Sequence, residues 1–172
     1  MTPILAAAFA LVFPALVILA GLRDAVSYTI PNWISVALVG AFPLAALAVG
    51  LGFPAMGLHL AIGAAGLVIG MIMFALGWIG GGDAKLFAAA ALWLGWPASL
   101  PYLAVTGVAG GALATLLLTL RSPLFRPFVV NGPGWFARLA EPGENVPYGL
   151  AIAAGALFAF PTSPLAHALP GL

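Results

Sequence analysis

The sequence predicts an all-α, polytopic membrane protein: a bundle of about six transmembrane helices with N-terminus and C-terminus outside. Three observations carry this. Apolar residues make up 64% and charged residues 5% of the 172 residues, against about 45–50% and about 25% in soluble domains. The apolar residues come in runs long enough to cross a bilayer, which takes about 20 residues at a rise of about 1.5 Å each. The five Lys and Arg residues fall in segments that alternating crossings place on one side. A soluble fold has too few charges here to cover its surface, and disorder requires the opposite composition. The chain has no cysteine, which excludes disulfides, thiolate metal sites and thiol nucleophiles. A net charge of +1 gives no footprint for nucleic acid.

The first run, at about 3–22, has no basic residues ahead of it and is followed by Arg23. It therefore reads as a retained span and not as a signal peptide. Runs at about 33–52 and 55–79 follow, the second with Gly66 and Gly70 spaced for close helix approach. The fourth run, at about 84–97, is short. From Asp83 to Pro97 the helical rise is about 20 Å against a core of about 30 Å. With Pro97 at the outer interface, Asp83 is expected below the inner one, in a wetted notch where the unwound Gly80-Gly81-Gly82 backbone finds partners. The fifth run, about 99–120, carries Gly107 and Gly111. Segment 121–146 mixes Phe125, Phe128, Trp135 and Phe136 with Arg121, Arg126 and Arg138, as a cytoplasmic, interfacial loop does. In the last run, about 147–168, Pro161 and Pro164 kink or end the helix. Alternating crossings put Arg23, Lys85 and the loop arginines in the cytoplasm, within one integral membrane domain spanning 1–172.

The same topology puts both aspartates of the chain, Asp24 and Asp83, at the cytoplasmic boundary. Acidic groups near membrane depth are costly and point to function. Two carboxylates converging on one water fit peptide hydrolysis. Like charges a few Å apart share a proton; the ionised member takes a proton from water while the other donates to the scissile carbonyl. The sequence does not assign these parts to one residue or the other. Plainer readings fit the same residues: Asp83 as the N-cap of helix four with Asp24 an exposed neighbour of Arg23, or the pair lining a proton or cation path. A transporter of that kind expects polar residues at mid-span, where this chain has almost none. A non-catalytic subunit of a pilus or secretion machine is a further rival.

Lys85 either supports negative charge on the pair or snorkels to the interface. Pro31 reads as the first residue of helix two, and Asn32 as a hydrogen-bonding residue at the bend. Gly80 and Gly82 supply backbone freedom. Glu141 and Glu144 read as solvated loop charges or as contacts for basic substrate residues. His59 lies about 36 Å from Asp83 along helix three and its loop, and His167 is also on the outer half, so no His/Asp metal site is expected.

Gly80-Gly81-Gly82-Asp83-Ala84-Lys85 resembles the Gly-x-Gly-Asp-x-Lys signature of the type IV prepilin leader peptidases, which are membrane aspartic proteases. Asp24 followed by Ile30-Pro31-Asn32 resembles that family's other aspartate motif, and Pro147-Tyr148-Gly149 is similar to the segment opening its last helix. The resemblance implies that Asp24 and Asp83 are the catalytic pair of an endopeptidase. It would remove short basic leaders, after a glycine, from prepilins and pseudopilins at the cytoplasmic face of the bacterial inner membrane. Gly80, Gly82, Lys85, Pro31, Asn32, Pro147, Tyr148 and Gly149 are then motif support, and no cofactor or metal is needed. Larger members carry an insertion with paired Cys-x-x-Cys zinc motifs and methylate the new N-terminus. Without cysteine or insertion, this chain is more similar to the short, peptidase-only enzymes of tight-adherence (Flp-type) pilus systems, which implies neither zinc nor methyltransferase activity. The implied partners are the substrate helix and the lipid bilayer. Which pilin is cut, the oligomeric state, and whether the carboxylates meet without substrate are open at this level.

Overall fold

The computed structural model describes residues 3–130 and 146–169, and among them only helices and their connections occur. Helix α1, Pro3–Ser27, carries Asp24 in its last turn. It stops where Tyr28 enters the left-handed region at φ 55 and donates its N–H to the Asp24 carbonyl at 2.9 Å. Helix α2, Asn32–Ala48, follows an extended Pro31. Pro31 is thus the N-cap, one position earlier than the first helical position the sequence suggested. Helix α3, Phe53–Ala75, opens with Pro54 in its first turn, where the missing donor costs nothing.

Helix α4 is Gly81–Leu94, helix α5 Ser99–Arg121 and helix α6 Arg126–Val130. Helix α7, Tyr148–Ala159, runs into a 3-10 turn at Phe160–Thr162. Helix α8, Pro164–His167, then restarts with Ser163 Oγ accepting from the Ala166 N–H at 3.1 Å, so the two prolines interrupt the last run as their chemistry predicts. Trp135, Phe136, Arg138, Glu141 and Glu144 lie outside the described residues.

Four helical stretches are long and apolar enough to cross a membrane: Ala6–Ser27, α3, α5 and Tyr148–His167. Helices α2 and α4, with 17 and 14 residues, are shorter. α4 is short because it is enclosed. Apart from Lys85 and Ala88, every residue from Asp83 to Leu94 is buried, against α2, α3 and α7 and, more lightly, α1. Its C-terminal half is fixed by specific contacts: the Trp93 indole donates to the Leu38 carbonyl at 2.8 Å and stacks on Phe13 at 5.3 Å. The buried Tyr102 hydroxyl of α5 donates to the Phe87 carbonyl at 3.2 Å.

Helix α3 lies antiparallel along α4. A Cβ on Gly63, Gly66 or Gly70 would come within about 3 Å of Leu92, Ala91 or Ala84 respectively, so the small-residue spacing of this helix permits a close approach. On α5 the spacing misleads. A Cβ on Gly107 or Gly111 would meet nothing within 4 Å among the described residues, whereas one on Gly110 would lie 3.1 Å from the Tyr148 ring. The reason is rotational: α7 packs on the face of Gly110, and α7's own Gly155 accommodates Thr106 and the Tyr102 carbonyl. These pairings, with Asn32–Lys85 and Asp24–Gly149, bring the ends of α1, α3 and α5 and the starts of α2, α4 and α7 to one end of the bundle.

Candidate active site

At that end the chain folds two remote carboxylates into one pocket. Asp24 is 3% exposed and Asp83 is 7% exposed. Asp24 sits on α1, and its Oδ2 accepts the Gly149 N–H at 2.7 Å. Gly149 is the second residue of α7, where backbone N–H groups have no partner inside the helix and point at anions. The expected alternative of an exposed loop residue beside Arg23 is therefore corrected: Arg23 is exposed and Asp24 turns inward.

Asp83 is the third residue of α4, and its Oδ2 accepts the Gly80 N–H at 3.0 Å. The N-cap is Gly80, extended at φ −74 and ψ 158. Asp83 thus caps from inside the first turn, as the acidic member of a capping box does. Capping uses one oxygen only; Oδ1 is buried and makes no hydrogen bond. The charge of Asp24 acts on the Asp83 carboxyl, and the Gly149 N–H is bonded to Asp24. A buried acceptor without a donor is costly, and a carboxyl under the charge of a second carboxylate is suited to holding a proton.

Three close approaches build this pocket. A Cβ on Gly149 would lie 2.7 Å from Ile30 Cδ1 and 2.8 Å from both Asp24 Cβ and Asp24 Oδ2. One on Gly82 would lie 3.1 Å from Ile30 Cβ and 3.2 Å from the Ile30 carbonyl. One on Gly21 would lie 2.9 Å from Ala153 Cβ, which draws α1 onto α7. Ile30 is therefore a buried wedge between the start of α4 and the start of α7. The bend that delivers it contains Tyr28, whose positive φ costs a non-glycine residue about 1–3 kcal/mol and persists only where the surroundings enforce it.

The other predicted residues divide. Pro147, buried, precedes α7 as its N-cap, and Tyr148 covers Gly110. Gly80 and Gly82 serve Asp83 and Ile30 as described. Lys85 does not join the pair. Two residues on from Asp83 it projects about 200° around the helix, and its Nζ donates to Asn32 Oδ1 at 2.8 Å. Among the two roles weighed for Lys85, the structure thus removes direct support of the carboxylates and gives Asn32 a partner the sequence had not supplied.

Sequence reasoning assigned no part to Ile30, Tyr28 or Gly21. Ile30 was within reach, since it stands in the Ile30-Pro31-Asn32 run, but its contacts are with residues distant in the chain. Among the described residues no three His, Asp or Glu side chains converge as a metal site requires. His59 is buried at the far end of α4, with Nδ1 2.8 Å from the Leu92 carbonyl and its ring stacked on Phe42 at 5.3 Å. Leu92 is about 14 Å of helical rise from Asp83, closer than the path through α3 because α3 folds back alongside α4.

Comparison with known families matches residues 11–115 to the type IV leader peptidase family, a stretch that includes both aspartates and stops short of Gly149. Neither the curated proteins nor the solved structures give a significant match.

Proposed function

The chain belongs to the type IV leader peptidase family, and from that premise we propose an aspartic endopeptidase in which Asp24 and Asp83 carry the chemistry. The observation that carries this reading is that helices from three parts of the chain bury two carboxylates within electrostatic reach of each other, one of them held by the Gly149 N–H, with no cation in contact with either among the described residues. In this reading the pair holds one proton. The ionised carboxylate takes a proton from a water, the water oxygen attacks the scissile carbonyl carbon, and the protonated carboxyl gives its proton to the carbonyl oxygen. Collapse of the gem-diol breaks the C–N bond as the departing amine takes a proton from the protonated carboxyl and the ionised carboxylate takes one from a gem-diol hydroxyl, which returns the pair to one proton. No metal or cofactor enters any step, and no methyl transfer follows.

The substrates are prepilins and pseudopilins with short basic leaders. The chain crosses the bacterial inner membrane six times with both ends outside, α2 and α4 serving as short spans inside the bundle, so that the pair faces the cytoplasm. Arg23, Lys85, Arg121 and Arg126 gathering at the end of the pair supports that orientation. Both carboxyl groups are nearly closed to solvent, so catalysis in this reading requires the site to open.

The test is co-expression of a prepilin with wild type, Asp24→Asn and Asp83→Asn. Loss of leader removal by both variants, with normal membrane insertion, is expected. A second reading is favoured by the Asp83–Gly80 hydrogen bond alone: Asp83 as a helix cap. An asparagine amide oxygen can accept the Gly80 N–H as the carboxylate does, so that reading expects Asp83→Asn to cleave normally.

A further inference from the structure

A cavity of about 600 Å³ does not hold the aspartates. It is a groove on the opposite face of α4, walled by Ser35, Val36 and Val39 of α2 and by Leu60, Ala64 and Leu67 of α3. Its floor is Ala88, Ala89 and Leu92, where α2 and α3 flank α4 and only Ala88 keeps partial exposure. Along its length of about 10 Å, from Lys85 to Leu92, the groove changes character. The end shared with the cytoplasmic-side helix starts carries Asn32, Ser35 and Lys85, and the remainder is apolar.

Lys85 is the cation of this groove. It is exposed, its one hydrogen bond goes to a neutral amide, and no carboxylate among the described residues neutralises it. Neither aspartate lines the groove. An apolar slot that opens sideways into a membrane, with an unneutralised cation and an amide at its headgroup end, has the charge and polarity pattern of a bound amphiphile with an anionic head. We propose that this groove binds one anionic phospholipid, its phosphate on Lys85 and Asn32 and an acyl chain along Val36, Val39, Leu60 and Leu67. A zwitterionic lipid brings a second positive charge to Lys85 and is disfavoured there. An apolar partner helix would fill the slot but leave the ammonium without a counter-charge. The site is independent of the peptidase reading, since none of its residues touches the carboxylate pair.

The experiment is native mass spectrometry of the purified full chain in detergent, titrated in parallel with phosphatidylglycerol and phosphatidylcholine. The wild type is expected to retain one phosphatidylglycerol in preference to phosphatidylcholine by about five-fold, the ratio that about 1 kcal/mol per interfacial cation gives. Lys85→Gln is expected to reduce that preference to near unity, while Arg23→Gln, a cation at the same end but outside the groove, keeps it. Val36→Trp, which fills the apolar wall and leaves Lys85 in place, is expected to weaken retention of both lipids. Helical circular dichroism of each variant confirms that the bundle is intact. Equal retention of the two lipids by wild type overturns the proposal. So does an unchanged preference in Lys85→Gln, an equal loss in Arg23→Gln, or unaltered binding in Val36→Trp.

Discussion

Gly149→Ala is the smallest change that strikes the carboxylate pair without touching a carboxylate. The added methyl would sit 2.8 Å from Asp24 Cβ and Oδ2 and 2.7 Å from Ile30 Cδ1. Ordinary contact begins near 3.4 Å, so Asp24, Ile30 or the start of α7 must move by about 0.6 Å. Backbone and wedge residue are both packed, which makes this overpacking, at about 1–3 kcal/mol. The displaced partner is the 2.7 Å hydrogen bond to Asp24, and hydrogen bonds to charged groups contribute about 1.5–3 kcal/mol. Alanine's better helix propensity returns at most about 1 kcal/mol, too little to offset either term. A misplacement of about 1 Å at a catalytic group costs about 100-fold in rate. The expected outcome is therefore a fall of roughly 10- to 100-fold in leader removal, read as mature-to-precursor ratio over time with a co-expressed prepilin, and membrane levels near wild type. Gly107→Ala, on a face with nothing within 4 Å, is the matched control and is expected to cleave normally. Gly149→Ala activity within two-fold of wild type would refute the claim that this amide positions the pair.

Other outcomes follow from the same contacts. Gly82→Ala presses on Ile30 Cβ and carbonyl at 3.1 and 3.2 Å, and is expected to slow cleavage less than Gly149→Ala because it reaches Asp24 only through the wedge; the same time course reads it. Gly155→Ala drives a methyl into Thr106 and the α5 backbone and is expected to destabilise the bundle by about 1–3 kcal/mol, seen as a lower thermal midpoint in detergent. Gly40→Ala, with open space around it, is expected to leave that midpoint unchanged or raise it. Chelator added to the purified enzyme is expected to leave cleavage unchanged, and inhibition reversed by a divalent ion would contradict a metal-free mechanism.

Much of this architecture was legible because bilayer burial writes itself in composition. Runs of apolar residues mark the helices, and alternating their directions is enough to expect Asp24 and Asp83 at one end of the bundle. The family motif then selected Asp24, Asp83 and Gly149 together. What sequence could not give was rotation about helix axes. Lys85 lies two residues from Asp83 and yet belongs to the other face of α4. Gly107 and Gly111 have a packing spacing, but the neighbour chose Gly110. The wedge role of Ile30 depends on three segments meeting, and no local pattern announces it. Helix ends were off by a few residues for a similar reason: Asp24 lies inside α1 because the helix continues to Ser27 before Tyr28 turns it.

The central claim is that positions 24 and 83 meet, and the cysteine-free chain permits a direct test. In an Asp24→Cys/Asp83→Cys variant, mild oxidation of membranes followed by denaturation, alkylation and peptide mass analysis reports whether the two thiols join. The account predicts a linked peptide pair within one chain, with little formed in an Asp24→Cys/Val108→Cys control. Recovery of both positions as separately alkylated thiols under conditions that oxidise other close pairs would contradict it.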